Sequence, residues 1–490
     1  MGSDSVHFRK SGVTASRFGP VAARGIAFAL FVLSLLAGGC ASYSRQSSSL
    51  NSAWESANVD RAARIATSAA ERKRGSRDRV LWLLEQGAAL RAAGEFEESN
   101  RAFEDAAVRI SEYEERAQVR VGVAAAAAVT NLNALPYEGY AYDRIMLHTY
   151  KALNYLALGE PENARVELNR AYQRQQDAVQ RNARRIEQAR EEAGEQVGDD
   201  GIDVNRTISD TSLQRQLDER YAHLQDLAYY ADYVNPLAVY LDGLYFLGHP
   251  WSDASDLERA RVSLERVAGM IRDTDYIRED IDRIHDRLQG GRMSPTTYVL
   301  FETGRGPTRD EVRIDLPLWG FSRDVPYIGA AFPDMRFRAR HEPRLTVLTN
   351  EGNHQTVRLA SMDSIVAQEF RNEMPVVIAK TLAATATKAT AQYALTEATK
   401  DAGFAGALIR VGGIVYQIAT NQADLRSWHT LPKEFQLCSF ATPENRRITV
   451  STPYSARNIE VELGEGIVNV VYVKSISRGT PLIVNQFTLQ

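Results

Sequence analysis

Hydrophobic positions between residues 51 and 290 follow a helical period, and two stretches repeat the same spacing. Leu83–Ala107 reads LLEQGAALRAAGEFEESNRAFEDAA, and His148–Tyr172 reads HTYKALNYLALGEPENARVELNRAY. When Gly159 is aligned with Gly94, small and bulky apolar residues fall at matching places in the two copies. Each glycine is expected to end one helix and open a turn. The pattern predicts stacked helical hairpins, because a single hairpin cannot bury its own apolar face.

Two weaker copies and one long polar helix complete the helical part. Tyr240–Val267 repeats the spacing with a turn opened at Gly248, and Ser52–Ala70 repeats it more faintly around Asn58. Asn163–Glu195 is predicted to be one long, highly charged helix. Because charges surround it, we expect it to project as an arm or to pair as a coiled coil, although packing within the domain stays open.

The pattern changes to strands after Gly290-Gly291, where alternating or β-branched runs are separated by Gly and Pro. Such runs are typical of strands. The predicted strands are Thr296–Glu302, Glu311–Leu316, Arg344–Thr349, Thr356–Leu359, Glu434–Phe440, Arg446–Ser451, Asn458–Leu463, Ile467–Val473 and Leu482–Leu489.

Helices interrupt this strand-rich part. Met362–Lys400 is rich in Ala and Thr, and Gly403–Asn421 is apolar apart from a polar face that contains Arg410. An arginine is costly in hydrocarbon, so the second helix is predicted to pack in the domain and not to enter a membrane. The fold class is therefore an α solenoid over residues 51–290, followed by an α+β domain over residues 295–490. This second domain is expected to be β-sandwich-like, with helices inserted at about 362–421.

Composition and charge narrow the function classes. The chain has 490 residues, of which 44% are hydrophobic and 24% are charged, as in folded globular proteins. Its net charge of −4, without a long basic run, argues against nucleic acid as a partner. The only cysteines are Cys40 and Cys438. If Cys40 is modified, no disulfide forms within the chain, and Cys438 is expected to be a small buried apolar residue.

The amino terminus carries a secretion signal. Basic residues precede an apolar stretch too short to span a bilayer, and Gly38-Gly39-Cys40 closes that stretch. The arrangement resembles a bacterial lipoprotein signal, which implies cleavage after residue 39 and acyl chains on Cys40. Leu36 stands one place earlier than the leucine usual in such signals. An ordinary signal peptide with an incidental cysteine is the alternative. Residues 40–50 are then a lipidated, Ser-rich tether.

Three stretches carry candidate partner-binding residues. Asn131–His148 (NLNALPYEGYAYDRIMLH) and Ala423–Pro432 (ADLRSWHTLP) have more tyrosine, tryptophan and charge than packing requires, and Gly304–Pro307 is a Gly-rich turn. Each stretch could serve in packing or in binding, since Tyr and Trp have an apolar body and a polar tip. The candidates are Asn133, Tyr137, Glu138, Tyr140, Tyr142, Arg144, Arg305, Arg426 and Trp428.

Catalytic and metal motifs are scarce in the sequence. HExxH, GxSxG, GxxxxGK[ST] and CxxC are all missing. Asp282, His285 and Asp286 would share one helix face, but flanking arginines favour a salt-bridged surface over a metal site. No catalytic residue, metal or cofactor is therefore predicted. An enzyme would need carboxylates or a nucleophile that converge in a pocket, and the linear sequence shows neither.

Three segments carry a family resemblance. NALPYEGYAYDRIMLHTYKALNYLALGEPENARVE, GRGPTRDEVRI and QADLRSWHTLP follow the lipoprotein-like signal in that order. The chain thereby resembles a poorly characterised family of bacterial envelope lipoproteins with tetratricopeptide-like repeats. The resemblance implies a lipid-anchored protein that faces the periplasm, but no activity. Because Ala41, not aspartate, follows Cys40, it also implies residence at the outer membrane.

These observations favour an interaction protein. The leading hypothesis is a non-enzymatic, lipid-anchored scaffold whose repeats bind envelope proteins. One alternative is a regulator or activator of a cell-wall synthesis or envelope-assembly machine, and a less favoured one is an enzyme that acts on glycan or lipid. The membrane contact is expected through acyl chains on Cys40, since several chains anchor a protein durably where one does not.

Overall fold

The helices lie where the apolar period predicts them and end at turn-forming residues. The computed structural model describes residues 43–119, 135–195, 209–227, 230, 233–272, 274–317, 327–398 and 422–489. Within these ranges the helices before the first strand are α1 (Tyr43–Gln46), α2 (Ser48–Glu55), α3 (Val59–Arg72), α4 (Arg79–Ala92), α5 (Phe96–Val119), α6 (Ala141–Ala157), α7 (Pro161–Glu195), α8 (Thr211–Tyr221), α9 (Pro236–Gly248), α10 (Ala254–Ala268) and α11 (Asp275–Leu288).

The predicted helix breaks at Gly94 and Gly159 are confirmed. Both glycines have positive φ, +83° and +74°, a conformation that favours glycine because it has no Cβ. The absence of a Cβ also explains how closely α4 and α5 approach each other. A Cβ on Gly87 would lie 2.5 Å from the Phe103 ring, so only glycine leaves room for that ring. At the first hairpin, the Asn58 side chain caps α3 by accepting the backbone N–H of Arg61.

The two helices of each hairpin differ in burial. Almost every residue of α4, α6 and α9, the first helices, is buried. The second helix α10 buries only one stripe, formed by Leu257, Ala260, Leu264 and Val267. The first helices therefore contact protein on more than one side, whereas the second helices keep a solvent-exposed face.

Eleven strands occur in the described residues, and they form three sheets. Their bounds are β1 (Thr296–Thr303), β2 (Thr308–Pro317), β3 (Tyr327–Arg336), β4 (Thr346–Leu348), β5 (Asn353–Gln355), β6 (Val357–Ser361), β7 (Glu434–Ala441), β8 (Arg447–Ser451), β9 (Ile459–Glu462), β10 (Val468–Ser475) and β11 (Ile483–Thr488). The strand orders are β11-β10-β1-β7-β6, β5-β4-β8-β9 and β2-β3. Only the β1–β10 pairing is parallel among the pairings described.

Two of the sheets share one apolar core. Val299, Phe301 and Cys438 of the five-stranded sheet belong to the same buried cluster as Val347 and Ile448 of the four-stranded sheet. Cys438 is free and fully buried there, and burial raises the pKa of its thiol. All eight residues of β1 and of β10 are buried, so the five-stranded sheet is covered on its second face as well.

Between β6 and β7, the described residues form one long helix. This helix, α12 (Met362–Ala398), packs against α7 and against β3. Val376, Ala379 and Leu382 of α12 share a core cluster with residues of α8, β2 and β3. The insertion thus builds a second small core away from the two larger sheets.

Helix α7 and two of the strands differ from what the sequence predicts. The long helix α7 does not project freely, because Asn182 donates a hydrogen bond to the Asn372 carbonyl of α12 at 3.1 Å. Strands β3 and β5 were not predicted from the sequence. The predicted helix over residues 403–421 lies outside the described residues, as do residues 1–42 with Cys40.

The chain divides into two units, Met1–Gln46 and Ser47–Gln490. Helix α1 is the described part of the first unit. In the second unit, helices precede a mixed α and β region, which agrees with a helical part followed by an α+β part. Residues 51–290 and 295–490 both fall within this second unit.

Candidate functional site

Polar side chains of the five-stranded sheet are buried against the first helices of the hairpins. Glu302 on β1 accepts hydrogen bonds from Tyr150 of α6 at 3.1 Å and from Lys474 of β10 at 2.5 Å. The Tyr472 hydroxyl also donates to Glu302. Burial lowers the pKa of Lys474, although Glu302 opposes this shift. Such a buried charge pair is costly to open, so this contact fixes the helices to the sheet.

Arg91 of α4 reinforces the same contact. Its guanidinium lies 4.6 Å from the centre of the Tyr472 ring and donates to the Asn154 side chain at 2.5 Å. On the same face of the sheet, Asp280 of α11 accepts hydrogen bonds from Tyr240 of α9 at 3.0 Å and from Tyr298 of β1 at 2.7 Å. The second face of the sheet is therefore bound by α4, α6, α9 and α11 through polar contacts.

The segment over residues 423–432 covers a further part of α4 and α6. Glu85 of α4 accepts the backbone N–H groups of His429 at 2.7 Å and Thr430 at 3.1 Å. The Trp428 ring meets Phe103 and Tyr150 edge-to-face, with centroids 5.9 Å and 6.0 Å away. This segment binds the helices much as a separate extended peptide would, through its backbone and one aromatic anchor.

Trp428 is therefore not a surface residue. It is 1% exposed, and its indole N–H donates to Thr430 at 2.7 Å. Arg426, also buried, binds Asp78 at 3.0 Å and Asp424 at 2.6 Å. The Trp428 side chain, which the sequence left open between packing and binding, serves packing in this structure.

The chain's own sheet and the 423–432 segment thus cover the first-helix faces of α4 and α6. A partner peptide that used those faces would have to displace Trp428 and the bonds to Glu85.

A cleft of about 760 Å³ lies beside these contacts. It is bounded by α7, by α12, by the loop over residues 135–141 and by residues 422–426. Five of the predicted candidates line it: Tyr137, Glu138, Tyr140, Arg144 and Arg426. The structure therefore brings together residues that come from two distant stretches of the sequence.

Tyr142, Arg305 and Asn133 are not among the described lining residues. Tyr142 is buried directly beside it at the start of α6, with its ring stacked on Tyr140 at 5.4 Å. Arg305 pairs with Glu55 at 2.6 Å, away from the cleft. Asn133 lies outside the described residues.

Two carboxyl groups fix the tyrosine-rich loop at the start of α6. Asp143 accepts the Tyr140 N–H at 2.9 Å and a hydrogen bond from the Tyr137 hydroxyl. Glu369 of α12 accepts the N–H groups of Ala141 at 2.5 Å and Tyr142 at 2.8 Å. Carboxylates are favourable at a helix amino terminus, where N–H groups lack helical partners.

Burial perturbs both of these carboxyl groups. It raises the pKa of Asp143 to about 7. Burial and the nearby carboxylate of Glu373 raise the pKa of Glu369 to about 8. Since both Glu369 oxygens already accept backbone N–H groups, this side chain is held as a structural cap.

Arg309 of β2 forms part of the cleft lining and was not predicted from the sequence. Its guanidinium lies 3.9 Å from the centre of the Tyr140 ring and 3.3 Å from Glu373. Arg185 of α7 binds the same glutamate at 3.0 Å. Glu373 is thus neutralised by two arginines. The signal available in the sequence was the pair Glu369 and Glu373, one helical turn apart in a largely apolar helix.

The lining as a whole carries more basic than acidic side chains. It contains eight Lys or Arg residues and six Asp or Glu residues, in a chain whose net charge is negative. Among the described residues, the lining contains no Ser, His or Cys. The described ranges also hold no group of three or more His, Cys, Asp or Glu residues placed to bind a metal.

None of the helices in the described ranges combines the length and the apolar character that a membrane crossing requires.

Comparison with protein-family models, with curated proteins and with solved structures finds no match to this chain.

Proposed function

We propose that this protein is a non-enzymatic scaffold of the bacterial envelope that binds a protein partner at the cleft. In this proposal, acyl chains on Cys40 hold the chain at the outer membrane, and residues 40–50 serve as the tether. The support for the anchor is the lipoprotein-like signal at residues 25–41. Several acyl chains would make the attachment durable.

The observation that carries the binding role is the convergence at the cleft. Five candidates from two stretches rich in aromatic and charged residues line one cavity: Tyr137, Glu138, Tyr140, Arg144 and Arg426. A concave site with convergent polar groups is the usual form of a binding site.

We further propose that the hairpins are tetratricopeptide-like in spacing but serve as a frame. Support comes from the glycine turns at Gly94 and Gly159 and from the fit of Phe103 against Gly87. The first helices are occupied by the chain's own sheet and by Trp428. Partner binding at the cleft leaves these contacts intact, whereas binding along the first helices would break them.

Charge reversal at the cleft tests the binding role. Arg184 of α7 is exposed and lines the cleft, whereas Arg101 of α5 is exposed and does not line it. Arg184→Glu should reduce the partner recovered with the affinity-purified chain from envelope extracts, and Arg101→Glu should leave it unchanged. Equal recovery from both variants would refute binding at the cleft.

The tether is tested separately. Cys40→Ser should move the protein from the membrane fraction to the soluble fraction of lysed cells. A Cys40→Ser variant that stays with the membranes would refute the lipid anchor without bearing on the cleft.

A further inference from the structure

Three arginines of the cleft bind one carboxylate. Arg144 lies 2.5 Å and Arg174 lies 3.0 Å from Glu114, and Arg181 contacts the same carboxylate. Arg144 comes from α6, Glu114 from α5, and the other two arginines from α7, one heptad apart. We call these four residues the arginine cluster. No other ion pair of Arg174 or Arg181 occurs among the described residues.

The arginine cluster carries an excess of positive charge. Three guanidinium groups have more N–H donors than one carboxylate can accept. Burial raises the pKa of Glu114, but the positive charges of the three arginines outweigh burial and hold this pKa below its usual value. Burial, reinforced by the like charge of Arg181, lowers the pKa of Arg144 to about 10.

Arg144 also has an unused donor. Its side chain is 9% exposed, and its Nε has no hydrogen-bond partner in the described part of the chain. Leaving a buried charged donor unpaired is unfavourable. A second anion at the cluster would satisfy such donors and offset the repulsion.

We infer that the arginine cluster binds a doubly charged oxyanion of the phosphate class. Within the cluster, the three arginines exceed the single glutamate by two positive charges, an excess that the nearby Glu138 carboxylate reduces in part. A phosphate monoester carries about −1.5 to −2 charges at neutral pH. Guanidinium groups bind phosphate oxygens with paired N–H donors, so the ligand type suits the residue type. A monocarboxylate would balance the excess charge only in part.

This inference goes beyond the proposed function, because oxyanion binding is a property of the purified chain and needs no protein partner. The cluster could receive a free phosphate compound or the phosphate of a lipid head group. These two sources share the same chemistry and are separated by the choice of probe.

Isothermal titration of the full-length, detergent-solubilised protein tests the inference. Inorganic phosphate should bind in a phosphate-free buffer, sulfate should compete with it, and acetate should bind more weakly. Arg174→Gln and Arg181→Gln should each weaken phosphate binding roughly tenfold, the effect of one charge-assisted hydrogen bond. Arg101→Gln, which removes the same charge from a surface ion pair with Glu98, should leave binding unchanged.

Glu114→Gln separates a ligand site from a purely structural cluster. Removing the resident carboxylate frees donors and raises the positive charge, so phosphate should bind about tenfold more tightly. If the arginine cluster is purely structural, phosphate should bind neither to the unaltered protein nor to Glu114→Gln. Circular dichroism of each variant shows whether it is folded. If Glu114→Gln fails to fold, Arg174→Gln and Arg181→Gln, at side chains that are 21% and 27% exposed, provide the result.

The source of the phosphate is addressed with vesicles. Stronger binding to phosphatidylglycerol vesicles than to neutral vesicles, lost in Arg181→Gln, would assign a lipid phosphate. Phosphate binding without any vesicle preference would assign a free compound. No binding of phosphate and no vesicle preference would refute the inference, while the co-purification result with Arg184→Glu would still stand for the proposed function.

Discussion

Replacing Trp428 with alanine is expected to destabilise the fold strongly, because this side chain anchors the 423–432 segment to the helices. Trp428 is 1% exposed and lies edge-to-face against Phe103 and Tyr150. Removing a buried large aromatic side chain costs about 3–5 kcal/mol in free energy of unfolding.

Specific contacts place the expected loss in the upper part of that range. Each edge-to-face pair contributes about 0.5–1.5 kcal/mol beyond the burial of its area. The bond from the indole N–H to Thr430, at 2.7 Å, contributes about 0.5–1.5 kcal/mol more. We therefore expect Trp428→Ala to lower the free energy of unfolding by about 4–5 kcal/mol.

Urea unfolding followed by far-ultraviolet circular dichroism measures this loss. Trp251, which joins α9 and α10 and is 84% exposed, provides a matched control. Trp251→Ala should change the free energy of unfolding by less than about 0.5 kcal/mol, as surface substitutions usually do. Thr430→Val isolates the hydrogen bond and should cost about 1 kcal/mol. If Trp428→Ala falls within about 1 kcal/mol of the unaltered protein, Trp428 does not anchor the segment.

Three further changes test other parts of the fold. Glu85→Gln leaves two backbone N–H groups with a weaker acceptor and should lower the free energy of unfolding by about 1–3 kcal/mol in the same urea assay; an unchanged midpoint would contradict the assigned bonds. Gly87→Ala should cost about 1–3 kcal/mol through overpacking against a ring 2.5 Å away, whereas Gly75→Ala, with nothing within 4 Å of the added Cβ, should not destabilise the fold. Asp143 has a pKa of about 7 in the fold against a usual 3.8, so the folded state holds an extra proton between these values. Its contribution to stability is complete below pH 3.8 and is lost as pH rises through about 7. Asp143→Asn should therefore gain stability relative to the unaltered protein between pH 5 and pH 8, as measured by paired thermal melts, and a difference independent of pH would refute the raised pKa.

Local features of the fold were readable from the sequence. Turn residues fix helix ends through their own backbone chemistry, which is why the breaks at Gly94 and Gly159 were predicted correctly. Most strands were also predicted, since alternation depends on neighbours in the sequence. Strand β3 was missed because Gly329 and Pro333 interrupt its pattern, and β5 because Asn353–Gln355 is short and polar.

The candidate site depends on contacts between distant parts of the chain. Tyr137 and Arg426 were candidates because of their residue types, but nothing in the sequence places them on one cleft. Glu369 reaches the start of α6 from more than 200 residues away, and Arg309 reaches Tyr140 from another strand. A tryptophan in a polar stretch is compatible with partner binding and with internal packing, so only the fold distinguishes these two roles for Trp428.

Photocrosslinking in intact cells tests most directly the claim that the partner binds at the cleft. A photoreactive amino acid in place of Gln188 or Glu138, which are exposed at the cleft, should capture a discrete partner band, and the same group in place of Glu444, exposed on the β-rich part, should not. Adding Arg181→Glu to the position 188 variant should remove the band. Capture from position 444, with none from positions 138 and 188, would contradict the account.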